Sequence, residues 1–212
     1  LTIRGEAMQA AVPAGEGAMA ALLGLDIAGA EKAIAETDGK LGVGEIANDN
    51  APGQVVISGT KARVEAAAEA AKKHGAKMAK LLPVSAPFHC SLMKPAADAM
   101  AEALAKAKFL TPCAPIVANV TARPAETPAE IRDLLVRQVT GRVRWTESVA
   151  YMAAEGGDRF IEVGSGKILA GLIKPEAGGV ALDGKPLGDF SGPQLGRRIA
   201  FLPQERTVHW SL

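Results

Sequence analysis

An α/β fold with a βαββαβ unit in its first half is what this sequence predicts, and three observations carry the prediction. Between residues 15 and 84, short apolar runs of strand character alternate with alanine-rich stretches of helical period. From 85 to 174, helical patterns alternate with short apolar runs at 115–120 and 159–163, which suggests buried parallel strands layered with helices. Finally, 212 residues of which 48% are hydrophobic suffice for a sizeable core, while no uncharged apolar run approaches the roughly 18 residues of a membrane-spanning helix.

In chain order the first half reads as strand 18–25, helix 27–37, strand 42–47, strand 54–58, helix 61–74 and strand 77–84, the ferredoxin-like order. The second helix is the best defined. Thr60 stands where it can cap the start, Val64, Ala67, Ala68 and Ala71 form an apolar stripe, and Gly75 can close the end in a left-handed conformation. Lys72, Lys73 and His74 lie where the helix dipole favours cations, so His74 is explained as a helix-end residue. Further on, proline and glycine in 111–115 and 121–128 mark connections.

Composition excludes several classes of function. A net charge of +1 gives no general nucleic-acid signal. Cys90 and Cys113 make neither a disulfide framework nor a metal-ligand cluster, which fits a reducing cytoplasm and no metal. No secretory pattern opens the chain, and Leu1 in place of methionine leads to the expectation that its natural beginning is missing. Gly164-Ser165-Gly166-Lys167 imitates the end of a phosphate-binding loop. The full pattern, however, needs glycine and a hydroxyl residue where Ile161 and Ile168 stand, so no nucleotide site is expected there.

The most informative stretch is Pro83-Val84-Ser85-Ala86-Pro87-Phe88-His89-Cys90-Ser91-Leu92-Met93-Lys94-Pro95. Prolines fix φ and remove N–H donors, so His89 sits in a stiff turn between a strand-like run and a helix. Taken alone, such a histidine is more often a surface or packing residue than a base. Cys90 follows it directly, but neighbouring side chains in an extended segment point apart, and Cys90 reads as a small packing residue.

This stretch resembles the histidine motif of malonyl-CoA:acyl carrier protein transacylases, and the resemblance extends both ways. Upstream stand Arg4-Gly5-Glu6-Ala7-Met8-Gln9 and Asn48-Asp49-Asn50-Ala51-Pro52-Gly53-Gln54; downstream stand Val136-Arg137-Gln138, Val143-Arg144-Trp145-Thr146-Glu147 and Glu162-Val163-Gly164-Ser165-Gly166-Lys167. The blocks follow the family's order over residues 1–174. The resemblance implies a partial α/β-hydrolase-like acyltransferase core, residues 1–14 and 85–174, into which the ferredoxin-like unit 15–84 is inserted.

It also implies S-malonyl transfer from coenzyme A to acyl carrier protein in fatty-acid synthesis by a cytoplasmic monomer. Malonyl-CoA and the carrier's phosphopantetheine are substrates, and no cofactor, nucleic acid or membrane span is expected. Catalysis would be ping-pong, with a serine attacking the thioester and a histidine carrying its proton. Carried over position by position, the base is His89, and its orienting acceptor is the main-chain carbonyl of Gln138, a residue that by itself reads equally as a solvent-facing helix position. Arg4, otherwise an ordinary surface charge, becomes the guanidinium that holds the malonyl carboxylate with paired hydrogen bonds. Met8, one turn later, lines the pocket or belongs to ordinary core. Phe88 is the residue that accompanies malonyl rather than methylmalonyl use.

Two family motifs, the Gly-His-Ser-Leu-Gly nucleophile elbow and the Gly-Gln-Gly-Ser-Gln oxyanion segment, do not occur in this sequence. The expectation is therefore a fragment inactive by itself. A noncatalytic module that binds acidic acyl carrier protein through Arg137, Arg142 and Arg144 is an alternative.

Residues 175–212 do not continue the family. Pro175-Glu176-Ala177-Gly178-Gly179-Val180-Ala181-Leu182-Asp183-Gly184-Lys185-Pro186-Leu187 and Arg197-Arg198-Ile199-Ala200-Phe201-Leu202-Pro203-Gln204 resemble an ABC-transporter ATPase up to its Q-loop glutamine. Without a phosphate loop this tail is no working ATPase. A chimera joined within 168–174 is expected, with part of a transporter's nucleotide-binding subunit as the competing reading.

Overall fold

The computed structural model describes residues 1–157, 160, 181–182 and 185–186. Two units are distinguished, Leu1–Gly156 and Gly157–Leu212. In the second, strands β8 (Ala181–Leu182) and β9 (Lys185–Pro186) pair antiparallel. The expected strand at 159–163, the loop at 164–167 and most of the transporter-like tail, Gln204 included, lie outside the described residues.

The first unit opens with helix α1 (Thr2–Ala10) and continues as β1 (Gly17–Leu23), α2 (Ile27–Ala35), β2 (Gly44–Ala51), β3 (Gln54–Thr60), α3 (Lys61–Lys73) and β4 (Met78–Leu81). These strands form an antiparallel sheet in the order β4-β1-β3-β2, and β7 (Val143–Arg144) adds a parallel edge against β2. Strand period explains the two faces. Ala20, Leu22, Val55 and Ile57 enter a core against α2 and α3, while Met19, Val56 and Ala47 between them point the other way. Leu82, Val84 and Phe88 pack on that second face, so the sheet itself supports the loop that carries the histidine.

The remaining elements are α4 (Lys94–Ala105), β5 (Ile116–Ala118), β6 (Arg123–Ala125), α5 (Pro128–Thr140) and α6 (Trp145–Ala154). Met8 of α1, Met93, Ala96, Ala97 and Met100 around α4, and Val139 of α5 form a further core with Ala86. Proline in the first turn of α4 and of α5 is tolerated because the N–H it lacks has no helical partner, and the Thr127 hydroxyl accepts from the Glu130 N–H at 3.2 Å to cap α5.

Several expectations are corrected. Thr60 precedes α3 but does not cap it with its side chain, because its hydroxyl donates to Leu41 O (2.6 Å) and Val43 O (3.2 Å) across the strand edge. The end of α3 behaves as read: Gly75 has φ +99°, and the N–H groups of Ala76 and Gly75 return to Ala71 O and Lys72 O. The last strand of the unit ends at Leu81, not Val84, as the chain enters the proline-bounded loop. The run at 115–120 is not a buried parallel strand. β5 pairs antiparallel with β6, and Ile116 is exposed. Only four residues separate the two strands, with Ala122 at φ +53°, and a parallel pair needs a crossover of a dozen residues or more. Among the described residues no helix is long and apolar enough to cross a membrane, and no cluster of His, Cys, Asp and Glu is arranged to hold a metal.

Candidate active site

His89 lies in the loop between β4 and α4, and its backbone adopts φ +57°, a left-handed conformation that costs a non-glycine residue about 1–2 kcal/mol. Such a conformation persists where its surroundings over-determine it. Pro87 is wedged against β1, since a Cβ placed on Gly17 would fall 2.4 Å from Pro87 Cδ. Cys90 is fully buried, and its thiol donates to Pro87 O at 3.1 Å; burial raises its pKa, so it serves as packing, not as a nucleophile.

The ring is aimed by a helix end. Helix α5 stops at Thr140, which leaves the Gln138 carbonyl among the terminal groups without a helical partner, and His89 Nδ1 donates to it at 3.0 Å. The Gln138 side chain is engaged separately, its amide donating to Gly141 O at 3.0 Å. A carbonyl can only accept, so the neutral ring carries its proton on Nδ1 and presents the lone pair of Nε2. Burial lowers the His89 pKa; the Gln138 and Gly141 carbonyls oppose this, and the nearby Arg4 charge adds to the lowering. The ring is thus held neutral at physiological pH, yet the negative end of α5 is placed to stabilise the imidazolium formed when Nε2 takes a proton. These are the properties of a general base.

The other candidate residues are placed differently. Arg4, half-buried on α1, lies close enough for its charge to act on His89. Met8 is 3% exposed and packs in the core among α1, α4 and α5. Phe88 is half-buried and touches two cores at once, the one beneath the sheet and the one around α4. Arg137 pairs with Asp133 at 3.6 Å, Arg142 with Glu147 at 3.7 Å, and Arg144 also with Glu147. The three arginines offered as an acidic-protein docking surface therefore share two carboxylates, Asp133 and Glu147.

An open groove of about 440 Å³ runs past His89, lined also by Ile34, Ala35, Glu45, Thr140 and Arg142. Sequence reading missed Glu45, Thr140 and Arg142 as groove residues. Nothing in the local pattern marks them, because the groove forms where α2 and β2 meet the end of α5.

The family model for the acyl transferase domain matches residues 1–175 of this chain. The chain belongs to the acyl transferase domain family. This acyl transferase domain is 52% identical over 172 residues to the malonyl CoA-acyl carrier protein transacylase of Escherichia coli K12, covering 81% of the chain and 55% of that relative. It is 46% identical over 171 residues to the Bacillus subtilis transacylase of the same description, covering 81% of the chain and 54% of the relative. The solved acyl-carrier-protein S-malonyltransferase of Burkholderia pseudomallei superposes with a TM-score of 0.77 at 52% identity, over 80% of this chain and 55% of that one. A solved complex of a type II polyketide acyl-carrier protein with its malonyl-transacylase matches with a TM-score of 0.77 at 44% identity, over 80% of this chain and 55% of the matched chain. The acyl transferase domain thus spans about half the length of the curated relatives it matches.

Proposed function

We propose that this chain carries the base-bearing part of a cytoplasmic malonyl-CoA:acyl carrier protein S-malonyltransferase. The observation that carries the reading is the half-buried, neutral His89 held by the orphan carbonyl of Gln138, within a chain whose relatives are described as malonyl transacylases. In the proposed reaction a serine hydroxyl, deprotonated by His89 Nε2, adds to the thioester carbonyl of malonyl-CoA. The tetrahedral adduct collapses to a malonyl-serine ester, and the imidazolium returns the proton to the departing thiolate of coenzyme A. Acyl carrier protein then presents its phosphopantetheine thiol, His89 removes that proton, and the thiolate takes the malonyl group as the serine is reprotonated. No cofactor is required by these steps. Arg4 holds the malonate carboxylate, which would otherwise be costly to bring out of water. Phe88, fixed by packing on two sides, is the wall that an α-methyl branch would meet.

In the same reading, residues 1–14 and 85–174 belong to the large, hydrolase-like part of the acyltransferase, 15–84 form the inserted ferredoxin-like unit, and 175–212 are a transporter-like addition. The test joins residues 1–174 behind a segment bearing the Gly-His-Ser-Leu-Gly elbow. His89→Ala should abolish malonyl transfer, while Arg4→Ala should shift the malonyl-to-acetyl ratio of kcat/KM by on the order of 10- to 100-fold, the worth of a charged hydrogen-bond pair. Full turnover by His89→Ala would overturn the base assignment, and an unchanged ratio in Arg4→Ala would overturn the clamp.

A further inference from the structure

His89 is restrained from two directions, and the second restraint uses a carboxylate that the proposed chemistry leaves idle. On the N-terminal side, buried Ala86 and Pro87 hold the loop, and the Cys90 thiol reaches back across His89 to donate to Pro87 O. On the C-terminal side, Ser91 is exposed and opens a one-turn helix, Ser91–Met93, whose first N–H groups have no helical partner. Glu45 answers both donors of that residue: the Ser91 N–H donates to Glu45 Oε2 at 3.0 Å and the Ser91 hydroxyl to Glu45 Oε1 at 2.5 Å.

Strand period places Glu45 for this. Ile46 joins the core beneath α2 and α3, so Glu45 and Ala47 project to the opposite face of β2, the face on which the histidine loop rests. Glu45 also lines the groove past His89, with Arg142 among its charged neighbours there and Lys94 beside it and Ser91 in an adjoining groove. Because the clasp is exposed it contributes little to global stability, and its consequence is local. We propose that Glu45 is a positioning residue for His89, fixing the far end of the left-handed turn through Ser91 so that Nδ1 stays on the Gln138 carbonyl and Nε2 stays free to accept a proton.

The inference rests on His89 being the base, and its test reads the ring without requiring turnover. In the full 212-residue chain, imidazole nitrogen NMR of His89, assigned by loss of its signals in His89→Asn, should show a neutral Nδ1–H ring with a slowly exchanging proton. Glu45→Ala should admit the Nε2–H form and speed exchange of the Nδ1 proton by about tenfold, whereas Glu45→Gln, which keeps an acceptor oxygen, should restore most of the protection. Should Glu45→Ala fail to fold, Ser91→Ala removes only the hydroxyl and should still speed exchange by about threefold. A ring of unchanged tautomer and exchange in a folded variant would overturn the proposal even if its melting temperature fell, as would a wild-type ring in the Nε2–H form. Transfer surviving His89→Ala in the serine-bearing fusion would instead overturn the base reading and leave the ring measurements standing.

Discussion

His89 shows how burial and one hydrogen bond together set a protonation state. Because its pKa is lowered in the folded chain, the unfolded chain binds its proton first as pH falls through the ordinary imidazole range near 6.5, and folding stability must then decline. The contribution is present above that range and is lost on acidification until the folded ring itself titrates. Urea midpoints measured between about pH 7 and 5 should therefore fall more steeply for the unsubstituted chain than for His89→Asn, and parallel slopes would contradict the half-buried neutral ring. Phe88 packs against two cores, and in the proposed function the same ring sets selectivity. In the serine-bearing fusion, Phe88→Ser should relax discrimination against methylmalonyl-CoA by no more than about 1–3 kcal/mol, since a single methyl is at stake. An unchanged methylmalonyl-to-malonyl ratio of kcat/KM would mean that the ring faces away from the acyl group.

Among the elements, β1 and α5 act as the two jaws that hold the histidine loop. β1 does so through an absence: Gly17 leaves the space that the Pro87 ring fills, with Cδ and Cγ both 2.4 Å from where a Cβ would stand. Gly17→Ala should cost about 1–3 kcal/mol by overpacking a ring that has little freedom to retreat, measurable as a lower urea midpoint with unchanged m-value. The same change should loosen the Nδ1 contact two residues away, whereas Gly75→Ala, at the end of α3, should destabilise the chain without touching the ring. Helix α5 contributes its unsatisfied C-terminal carbonyls. In the proposed function the Gln138 carbonyl takes the place of the carboxylate that commonly orients a catalytic histidine, because an orphan carbonyl at the negative end of a helix both accepts from Nδ1–H and favours a positive charge on the ring.

At the scale of the whole molecule, the Arg4 guanidinium from α1 and the His89 ring from the loop before α4 are brought together, and the carbonyl that holds the ring comes from α5, 49 residues beyond His89. The proposed base and clamp, in a sequence without the serine elbow that the resemblance implies, should transfer nothing, since removing one member of such a unit loses orders of magnitude in rate. Incubating the 212-residue chain with labelled malonyl-CoA is thus expected to leave no acid-stable label on the protein. Stoichiometric labelling would show that a nucleophile within this chain had been overlooked.

The sequence alone determined the βαββαβ succession, the apolar stripe of α3 with its glycine end, and the stiff turn at His89, because periodicity and the φ limits of proline and glycine act within a few residues. It also carried the family, through blocks whose order does not depend on how they fold. Tertiary structure decided what needed distant partners. Thr60, a cap by its local pattern, turned to the carbonyls of Leu41 and Val43; the run at 115–120, a parallel strand by composition, became half of an antiparallel pair. The packing of Met8 against α4 and α5, which its local pattern leaves open, is likewise tertiary. The clasp of Glu45 on Ser91 joins residues 46 apart and has no signature in either segment. A hydrogen bond of that kind exists only once a strand face and a loop have been laid against each other, and packing, not local propensity, brings them there.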